Sequence, residues 1–297
     1  MTLLTATKVR HCFGGLCALA DFNLELRQGE LMGIIGPNGA GKTTVFNLIT
    51  GVYRATEGTI RYRGTELVGL TPHQITARRI ARTFQNIRLF RDLSVLDNVR
   101  IAHYSQTRYS PLEALLHLGR YRREEQRIID HSRSLLALFK LEHLAGETAR
   151  NLPYGSQRRL EIARALAIDP ELLLLDEPAA GMNPAEIDHL MELICGIRRQ
   201  FELTILLIEH QMKLVMGICE RIKVLDFGET LAEGPPEAIQ NDPWVMEAYL
   251  GGSNSHHSPV PPPDEGAAPG EGTRPTAPAK PLSCRPGALT RRGVAGP

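Results

Sequence analysis

One stretch of the sequence, residues 36–43, restricts the possible folds more than any other. It reads Gly-Pro-Asn-Gly-Ala-Gly-Lys-Thr and matches the pattern G-x-x-x-x-G-K-[ST], whose glycines let successive backbone N–H groups point at phosphate oxygens. The apolar run 31–35 predicts a buried strand before it, and residues 44–49 predict the start of a helix after it. A glycine-rich turn that matches by chance is the alternative, and the flanking strand and helix argue against it. We therefore predict a phosphate-binding loop at a helix N-terminus, whose partial positive charge favours an anion.

Each residue type in this loop has a predicted role. The Lys42 ammonium can reach the β- and γ-phosphates of a nucleotide, and the Thr43 hydroxyl can ligate Mg²⁺. The predicted nucleotide contacts are the whole loop and the first helical turn: Gly36, Pro37, Asn38, Gly39, Ala40, Gly41, Lys42, Thr43 and Thr44.

The composition excludes several classes of protein. A chain of 297 residues can bury a real core, and its formal net charge of +1 gives no support to a nucleic-acid-binding surface. No apolar run reaches the roughly 18 residues of a membrane-spanning helix, and the N-terminus lacks the layout of a secretory signal. The five cysteines include no C-x-x-C pair, so we expect reduced thiols in a cytosolic protein rather than a metal site.

Two segments alternate polar and apolar residues, as half-buried strands do. They are residues 23–27 and 59–63, and they predict an antiparallel β-layer beside the nucleotide core. Phe13 lies just ahead of this layer. Its ring could stack on an adenine, and the alternative, which the residues alone favour, is a partly buried core side chain.

Strands that alternate with helices dominate the second half of the sequence. The apolar run 172–175 ends in Asp176-Glu177, and the run 203–208 ends in Glu209-His210. This alternation predicts a parallel α/β sheet. Ligands of such sheets bind at the carboxyl ends of the strands, where Gln85, Asp176, Glu177 and His210 would converge near the phosphate loop.

The polar residues at these strand ends match the needs of phosphoryl transfer, which requires charge neutralisation, a metal and a positioned water. We predict that Asp176 ligates Mg²⁺ through water, that Glu177 is the general base, and that His210 contacts the γ-phosphate and holds the water. Two solvated carboxylates and a structural histidine are the alternative. The phosphate loop upstream argues against that alternative.

A second anion site is predicted at residues 153–156, Pro-Tyr-Gly-Ser. This segment opens a helix, so the free amides of its first turn can face a phosphate, and we assign nucleotide contacts to Tyr154, Gly155 and Ser156. One nucleotide already has its own loop, which suggests a site shared between two chains. Residues 94–150 are predicted to be mainly helical, with a solvated charged face at 120–127.

Over about residues 4–251 the chain resembles the ATP-binding subunit of ABC transporters. The motifs occur in the family's order: the phosphate loop, Gln85, the signature 152–156, Asp176-Glu177, the loop 180–183 and His210. The resemblance implies an α/β fold of the P-loop NTPase class, with a parallel-sheet nucleotide core, an antiparallel β-layer and an inserted α-helical subdomain at about 86–165.

The resemblance also implies ATP and Mg²⁺ as cofactors and two subunits that sandwich two ATP molecules head to tail. Phe13 falls on the family's adenine-stacking position, and Gln85 on the residue that touches Mg²⁺ or the water and relays closure to the membrane partner. The implied ATP-binding domain is 1–251. Half of the chain's prolines follow it, and we expect a disordered tail at 252–297.

Three segments resemble the subgroup that serves branched-chain amino-acid import: 82–90, 176–184 and 207–210. This resemblance implies a second, different ATP-binding subunit, two membrane permease subunits, a periplasmic or surface solute-binding protein, no nucleic acid, and a peripheral location on the cytoplasmic face of the inner or plasma membrane. Three alternatives remain open: an importer for urea, amides or other amino acids, a soluble ABC ATPase acting on nucleic acid, and a regulatory module without ATPase activity.

The signature departs from the family's Leu-Ser-Gly-Gly-Gln at Pro153, which has neither a hydroxyl nor an N–H group. Asn183 stands where the wider family often has Asp, and the tail is not part of the family pattern.

Overall fold

Ten strands form two sheets in the computed structural model, which describes residues 1–104, 111–115 and 119–250. The first sheet has the order β2-β1-β4-β5, and the second has the order β10-β9-β3-β8-β7-β6. The strands are β1 (Thr2–Phe13), β2 (Leu16–Arg27), β3 (Leu31–Ile35), β4 (Glu57–Tyr62), β5 (Thr65–Glu66), β6 (Ile80–Arg82), β7 (Leu172–Asp176), β8 (Thr204–Ile208), β9 (Arg221–Asp226) and β10 (Glu229–Gly234).

The second sheet is parallel from β9 to β6, and only β10 joins it antiparallel. Every residue of β3, β7 and β8 is buried, as continuous apolar runs covered on both faces require. Helices connect its strands, so the predicted parallel α/β sheet is confirmed. The helices are α1 (Lys42–Ile49), α2 (Pro72–Thr76), α3 (Val95–His103), α4 (Pro111–Leu115), α5 (Gly119–Leu138), α6 (Tyr154–Leu166), α7 (Pro184–Gln200), α8 (Met212–Ile218), α9 (Pro236–Gln240) and α10 (Pro243–Leu250).

The parallel sheet separates two hydrophobic cores. Successive side chains of β7 point to opposite faces, so Leu173 and Leu175 pack on one side with α3, α5, α6 and α7. Leu172 and Leu174 pack on the other side, against α1 and the antiparallel sheet. The strands predicted at 23–27 and 59–63 belong to that antiparallel sheet as β2 and β4, which confirms the predicted β-layer.

Helices α3 to α6 lie between β6 and β7, where the helical insertion was expected. On α5 the charged run is largely exposed, while Ile128, Leu135 and Leu136 on the same helix are buried. The domain boundaries at 86–165 and 251 stay predictions, and the predicted tail 252–297 lies outside the described residues. None of the described helices combines the length and the apolar character needed to cross a bilayer.

The expectation of reduced thiols is wrong at Cys12, Cys17 and Cys195, which are disulfide-bonded. Cys12 and Cys17 form a disulfide, because they lie directly opposite each other in the β1–β2 hairpin. A C-x-x-C pattern marks cysteines that are close in sequence, whereas strand register brings the sulfurs of Cys12 and Cys17 together. Cys219 is a buried free thiol, and burial raises its pKa.

Candidate functional site

The loop 36–41 joins β3 to α1 with a backbone that only glycine can adopt at two points. Gly36 has φ 149° and Gly41 has φ 98°. An added Cβ at Gly36 would lie 2.1 Å from the Leu225 carbonyl oxygen, and one at Gly41 would lie 2.5 Å from the Ala18 carbonyl oxygen. The glycines of the motif therefore serve close backbone packing as well as turn geometry.

The Lys42 ammonium lies under this loop. Its Nζ donates hydrogen bonds to the carbonyl oxygens of Gly36 and Pro37, both at 2.8 Å. Burial lowers the pKa of Lys42, while the charges of Glu177 and Asp176 act in the opposite direction. No side chain caps α1 at Gly41, so the N–H groups of its first turn are available to an anion. Thr43 is exposed in that turn.

The predicted catalytic side chains come together around Glu177. Gln85 Nε2 donates to Glu177 Oε2 at 2.8 Å, and His210 Nε2 lies 2.9 Å from Glu177 Oε1. These residues follow β6, β7 and β8, three neighbouring strands whose carboxyl ends meet at one edge of the sheet. Glu177 has the left-handed φ of 46°, and its N–H donates to the Ile208 carbonyl oxygen at 2.9 Å. The backbone turn thus holds the carboxylate between its two partners.

Asp176 has one carboxylate oxygen paired and one free. Arg82 donates to Oδ2 at 2.8 Å, while Oδ1 is buried and has no hydrogen-bond partner within the described residues. Burial raises the pKa of Asp176, and the hydrogen bond and charge of Arg82 act in the opposite direction. An unpaired buried carboxylate oxygen is costly in an apolar setting, so Oδ1 marks a place for a polar ligand.

A divalent cation fits this edge of the sheet. Mg²⁺ prefers oxygen ligands and is usually held by one or two carboxylates together with phosphates and waters. The free Asp176 Oδ1 and the exposed Thr43 hydroxyl offer such oxygens. Across 1–104, 111–115 and 119–250 no group of three or more His, Cys, Asp or Glu side chains could hold a metal ion.

Phe13 is half exposed at the end of β1. Its ring packs edge-on against His11 at 4.6 Å and against Tyr53 at 5.2 Å between centroids. These contacts support one edge of the ring and leave part of it open. The adenine-stacking role of Phe13 stays a prediction.

The second anion site lies at the start of α6. Pro153 is the N-cap and provides no side-chain hydrogen bond. The N–H groups of Tyr154 and Gly155 have no partner in the described part of the chain, whereas the Ser156 N–H donates to the Pro153 carbonyl oxygen at 2.9 Å. Ser156 Oγ accepts a hydrogen bond from Arg159 at 3.0 Å. Of the three predicted contacts, Tyr154 and Gly155 present free amides. Ser156 has its N–H bonded to Pro153 and its hydroxyl oxygen accepting from Arg159, and its O–H can still donate to a phosphate.

Comparison with known proteins agrees with this geometry. Residues 19–180, more than half of the chain, match the family model described as "ABC transporter". The chain belongs to the ABC transporter family. Residues 229–253 of this cassette also match a model described as "Branched-chain amino acid ATP-binding cassette transporter".

Several curated relatives of the cassette are similar over nearly their whole length. The LivG protein of Escherichia coli K12, named a high-affinity branched-chain amino acid transport ATP-binding protein, is 48% identical over 84% of this chain and 98% of the relative. The BraF protein of Pseudomonas aeruginosa, with the same description, is 45% identical over 80% and 94%. A lipopolysaccharide export ATP-binding protein, LptB of Haemophilus influenzae, is 32% identical over 84% and 98%.

Solved structures show the same fold. The ADP conformation of MJ1267, an ATP-binding cassette of an ABC transporter, has a TM-score of 0.74 and 30% identity over 85% of this chain and all of that one. The dimeric cassette MJ0796 has a TM-score of 0.68 and 25% identity over 79% of this chain and 99% of that one. The predicted family, the P-loop NTPase fold and the enzyme class, an ATP-hydrolysing transporter subunit, are therefore confirmed.

Sequence reasoning missed two buried charges of the cassette, Arg158 and Glu161 on α6. They form an ion pair at 2.8 Å and are 0% and 1% exposed. Arg158 donates to the carbonyl oxygens of Phe84 and Gln85 at 2.7 and 2.8 Å, and Glu161 accepts from the N–H of Phe84 and of Arg88. The pair thereby ties the signature helix to the loop that carries Gln85. Their spacing of three residues on the buried face of a helix was the available signal.

The last of the described helices, α10, was also missed. Burial raises the pKa of Tyr249 to about 12, and a hydrogen bond with the Gly36 backbone acts in the opposite direction. Tyr249 belongs to α10, within the stretch that matches the second family model. Helix α10 therefore contacts the first residue of the phosphate loop, and the sequence carries no local pattern for this contact.

Proposed function

We propose that this chain is the energy-coupling ATPase of an importer for branched-chain amino acids. The assignment of branched-chain amino acids as the cargo rests on the match of 229–253 to the branched-chain family model. It is supported by 48% identity to a relative named for that transport. The exporter relative at 32% identity is more distant. A urea or amide importer is the remaining alternative, because ATPase subunits do not touch the cargo.

The chemistry proposed for the site is hydrolysis of the ATP γ-phosphate. Lys42 and the loop amides would neutralise the phosphates, exchanging the carbonyl contacts of Lys42 for phosphate oxygens. Bound Mg²⁺, held by Thr43, Asp176 and Gln85, would supply charge stabilisation at the phosphates. Glu177 would take a proton from the attacking water as general base. Its contacts with Gln85 and His210 support this role, since they hold its carboxylate in one place.

The second anion site indicates one partner of the chain, a second ATP-binding subunit. Free amides at Tyr154 and Gly155 would complete the phosphate site of a second ATP-binding subunit, which we propose to be a different chain. Two membrane permease subunits would hold the pair at the cytoplasmic face of the membrane, and a solute-binding protein would deliver the cargo to them. The dimeric structure of the related cassette MJ0796 supports the paired arrangement.

Replacement of the general base tests the ATPase assignment. Glu177→Gln should lower ATP turnover at least about 100-fold, since a positioned base contributes roughly 10²–10⁴-fold, and should leave ATP-dependent pairing of the cassettes intact. The matched control is Glu192→Gln, an exposed carboxylate on α7, which should keep wild-type turnover. An undiminished rate in Glu177→Gln would refute the assignment.

Purification of the intact complex tests the cargo. The membrane and binding proteins that co-purify with this chain would be identified, and the binding protein would be titrated with leucine, isoleucine, valine and urea. Binding of the three branched amino acids supports the proposal. Binding of urea alone would replace it with the amide importer.

A further inference from the structure

Arg82, the last residue of β6, joins the two elements that carry the proposed metal ligands. Its side chain is 5% exposed. The guanidinium donates to Asn47 Oδ1 at 2.7 Å and to Thr50 Oγ1 at 3.1 Å, both on or next to the last turn of α1. It also donates to Asp176 Oδ2, at the end of β7, at 2.8 Å. One planar group therefore spans the helix that begins at Lys42 and the strand that ends at Asp176.

The bond to Asp176 also decides which carboxylate oxygen is available. Oδ2 is taken by Arg82, and the backbone N–H of Asp176 donates to Thr83 Oγ1 at 3.3 Å. Oδ1 is left without a partner among the described residues. Rotation of the carboxylate would break a buried charge-assisted hydrogen bond, so Arg82 keeps Oδ2 occupied and leaves Oδ1 as the unpaired oxygen.

Two aromatic rings hold the guanidinium in this position. Its central carbon lies 5.4 Å from the centroid of Phe46, on α1, and 4.9 Å from that of Phe84. A guanidinium stacks on rings and donates in fixed directions, whereas a lysine ammonium is a single compact charge. Lysine at this position would keep the positive charge and lose the bridge between α1 and β7.

We propose that Arg82 is a positioning residue that sets the geometry of the divalent-cation site. It fixes α1, with Thr43, relative to β7, with Asp176, and it keeps Asp176 Oδ1 free. This inference rests on the proposed assignment of Thr43 and Asp176 as metal ligands.

Binding measurements on Arg82→Lys separate the metal site from the nucleotide site. ADP affinity would be measured in EDTA, and Mn²⁺ affinity in the presence of ADP by electron paramagnetic resonance. Loss of a partner that orients a metal ligand typically costs roughly 10–100-fold in metal affinity. We expect Mn²⁺ affinity to fall at least about 10-fold while ADP affinity in EDTA stays within about twofold of wild type.

The matched control is Arg79→Lys. Arg79 lies just before the same strand and also pairs with a carboxylate, that of Glu171 at 2.9 Å, away from the phosphate loop. The Arg79→Lys variant should keep wild-type Mn²⁺ affinity. If Arg82→Lys fails to fold, Asn47→Ala removes one of the two hydrogen bonds at the α1 end of the bridge. It should still lower Mn²⁺ affinity by roughly threefold or more, less than the roughly 10–100-fold for a partner that contacts the metal ligand directly.

Two results would overturn the proposal. One is wild-type Mn²⁺ affinity in a folded Arg82→Lys or Asn47→Ala chain. The other is an equal loss of ADP affinity in EDTA, which would mean that Arg82 supports the phosphate loop in general. If the wild-type chain itself binds no Mn²⁺ with ADP, the metal assignment within the proposed function fails instead, and the two failures are distinguishable.

Discussion

Truncation of Arg158 should destabilise the protein more than the removal of a surface charge does. Arg158→Met removes the buried ion pair with Glu161 and the hydrogen bonds to the carbonyl oxygens of Phe84 and Gln85. The Glu161 carboxylate, 1% exposed, then loses its only ion pair within the described residues. Removal of one partner from a buried pair costs about 3–5 kcal/mol, and we expect the free energy of unfolding to fall by about that amount.

This loss can be measured by urea unfolding and by the melting temperature. For a chain of this size about 1 kcal/mol shifts the melting temperature by roughly 2–4 °C, so Arg158→Met should melt roughly 6–20 °C lower. The control is Arg150→Met, whose ion pair with Asp92 at 3.0 Å lies at the surface and should contribute less than about 1 kcal/mol.

The cause of the loss can be separated by a second replacement. Arg158→Met with Glu161→Met removes the unpaired buried charge, so the double variant should be more stable than Arg158→Met alone. An Arg158→Met chain as stable as the Arg150→Met control would refute the reasoning, because the buried pair would then not hold the Gln85 loop.

Three further predictions concern the nucleotide site and the helical insertion. Phe13→Ala should weaken nucleotide binding by about 1–3 kcal/mol, the range for a base stacked on an aromatic ring, while Phe13→Tyr keeps wild-type affinity; equal affinities in equilibrium titration would contradict stacking. Pro153→Ser should keep ATP turnover within about tenfold of the wild-type rate, which is about 1.4 kcal/mol of barrier. A larger change in a steady-state assay would contradict the proposed contacts of this segment with phosphate. Burial lowers the pKa of His103 from 6.5 to about 4, so the unfolded chain binds the proton more tightly and stability falls as pH drops from 6.5 towards 4. His103→Gln should flatten this part of the stability profile in urea unfolding, and an unchanged slope would exclude His103 as its source.

Local patterns predicted the elements that build the site. The phosphate loop was recognisable because its glycines and its lysine have the spacing of the G-x-x-x-x-G-K-[ST] pattern and follow an apolar strand. The carboxyl-end cluster was recognisable because polar residues directly follow buried strands, at Asp176-Glu177 and at Glu209-His210. Parallel strands place such ends at one edge, so Gln85, Glu177 and His210 were expected to converge, and they do.

The sequence did not predict which side chains that are far apart in the chain contact each other. Arg82 occurs in the sequence as one of several interleaved arginines, and nothing local distinguishes it from Arg79. In the fold Arg82 is buried against Asp176, while Arg79 is half exposed beside Glu171. Likewise, the sequence did not predict that Arg159 donates a hydrogen bond to the hydroxyl of Ser156, and the contact of Ser156 with phosphate stays a prediction.

The sequence by itself determined the nucleotide loop, the alternation of strands and helices, and the residues that follow each strand, because these depend on contiguous residues and on the period of the backbone. The tertiary structure alone decided the Cys12–Cys17 bond, the Arg158–Glu161 link to the Gln85 loop, and the free oxygen of Asp176. Each of these depends on strand register or on burial beside an element far away in the chain. The energy of a buried charge is set by what surrounds it in space, and neighbours in sequence do not specify those surroundings.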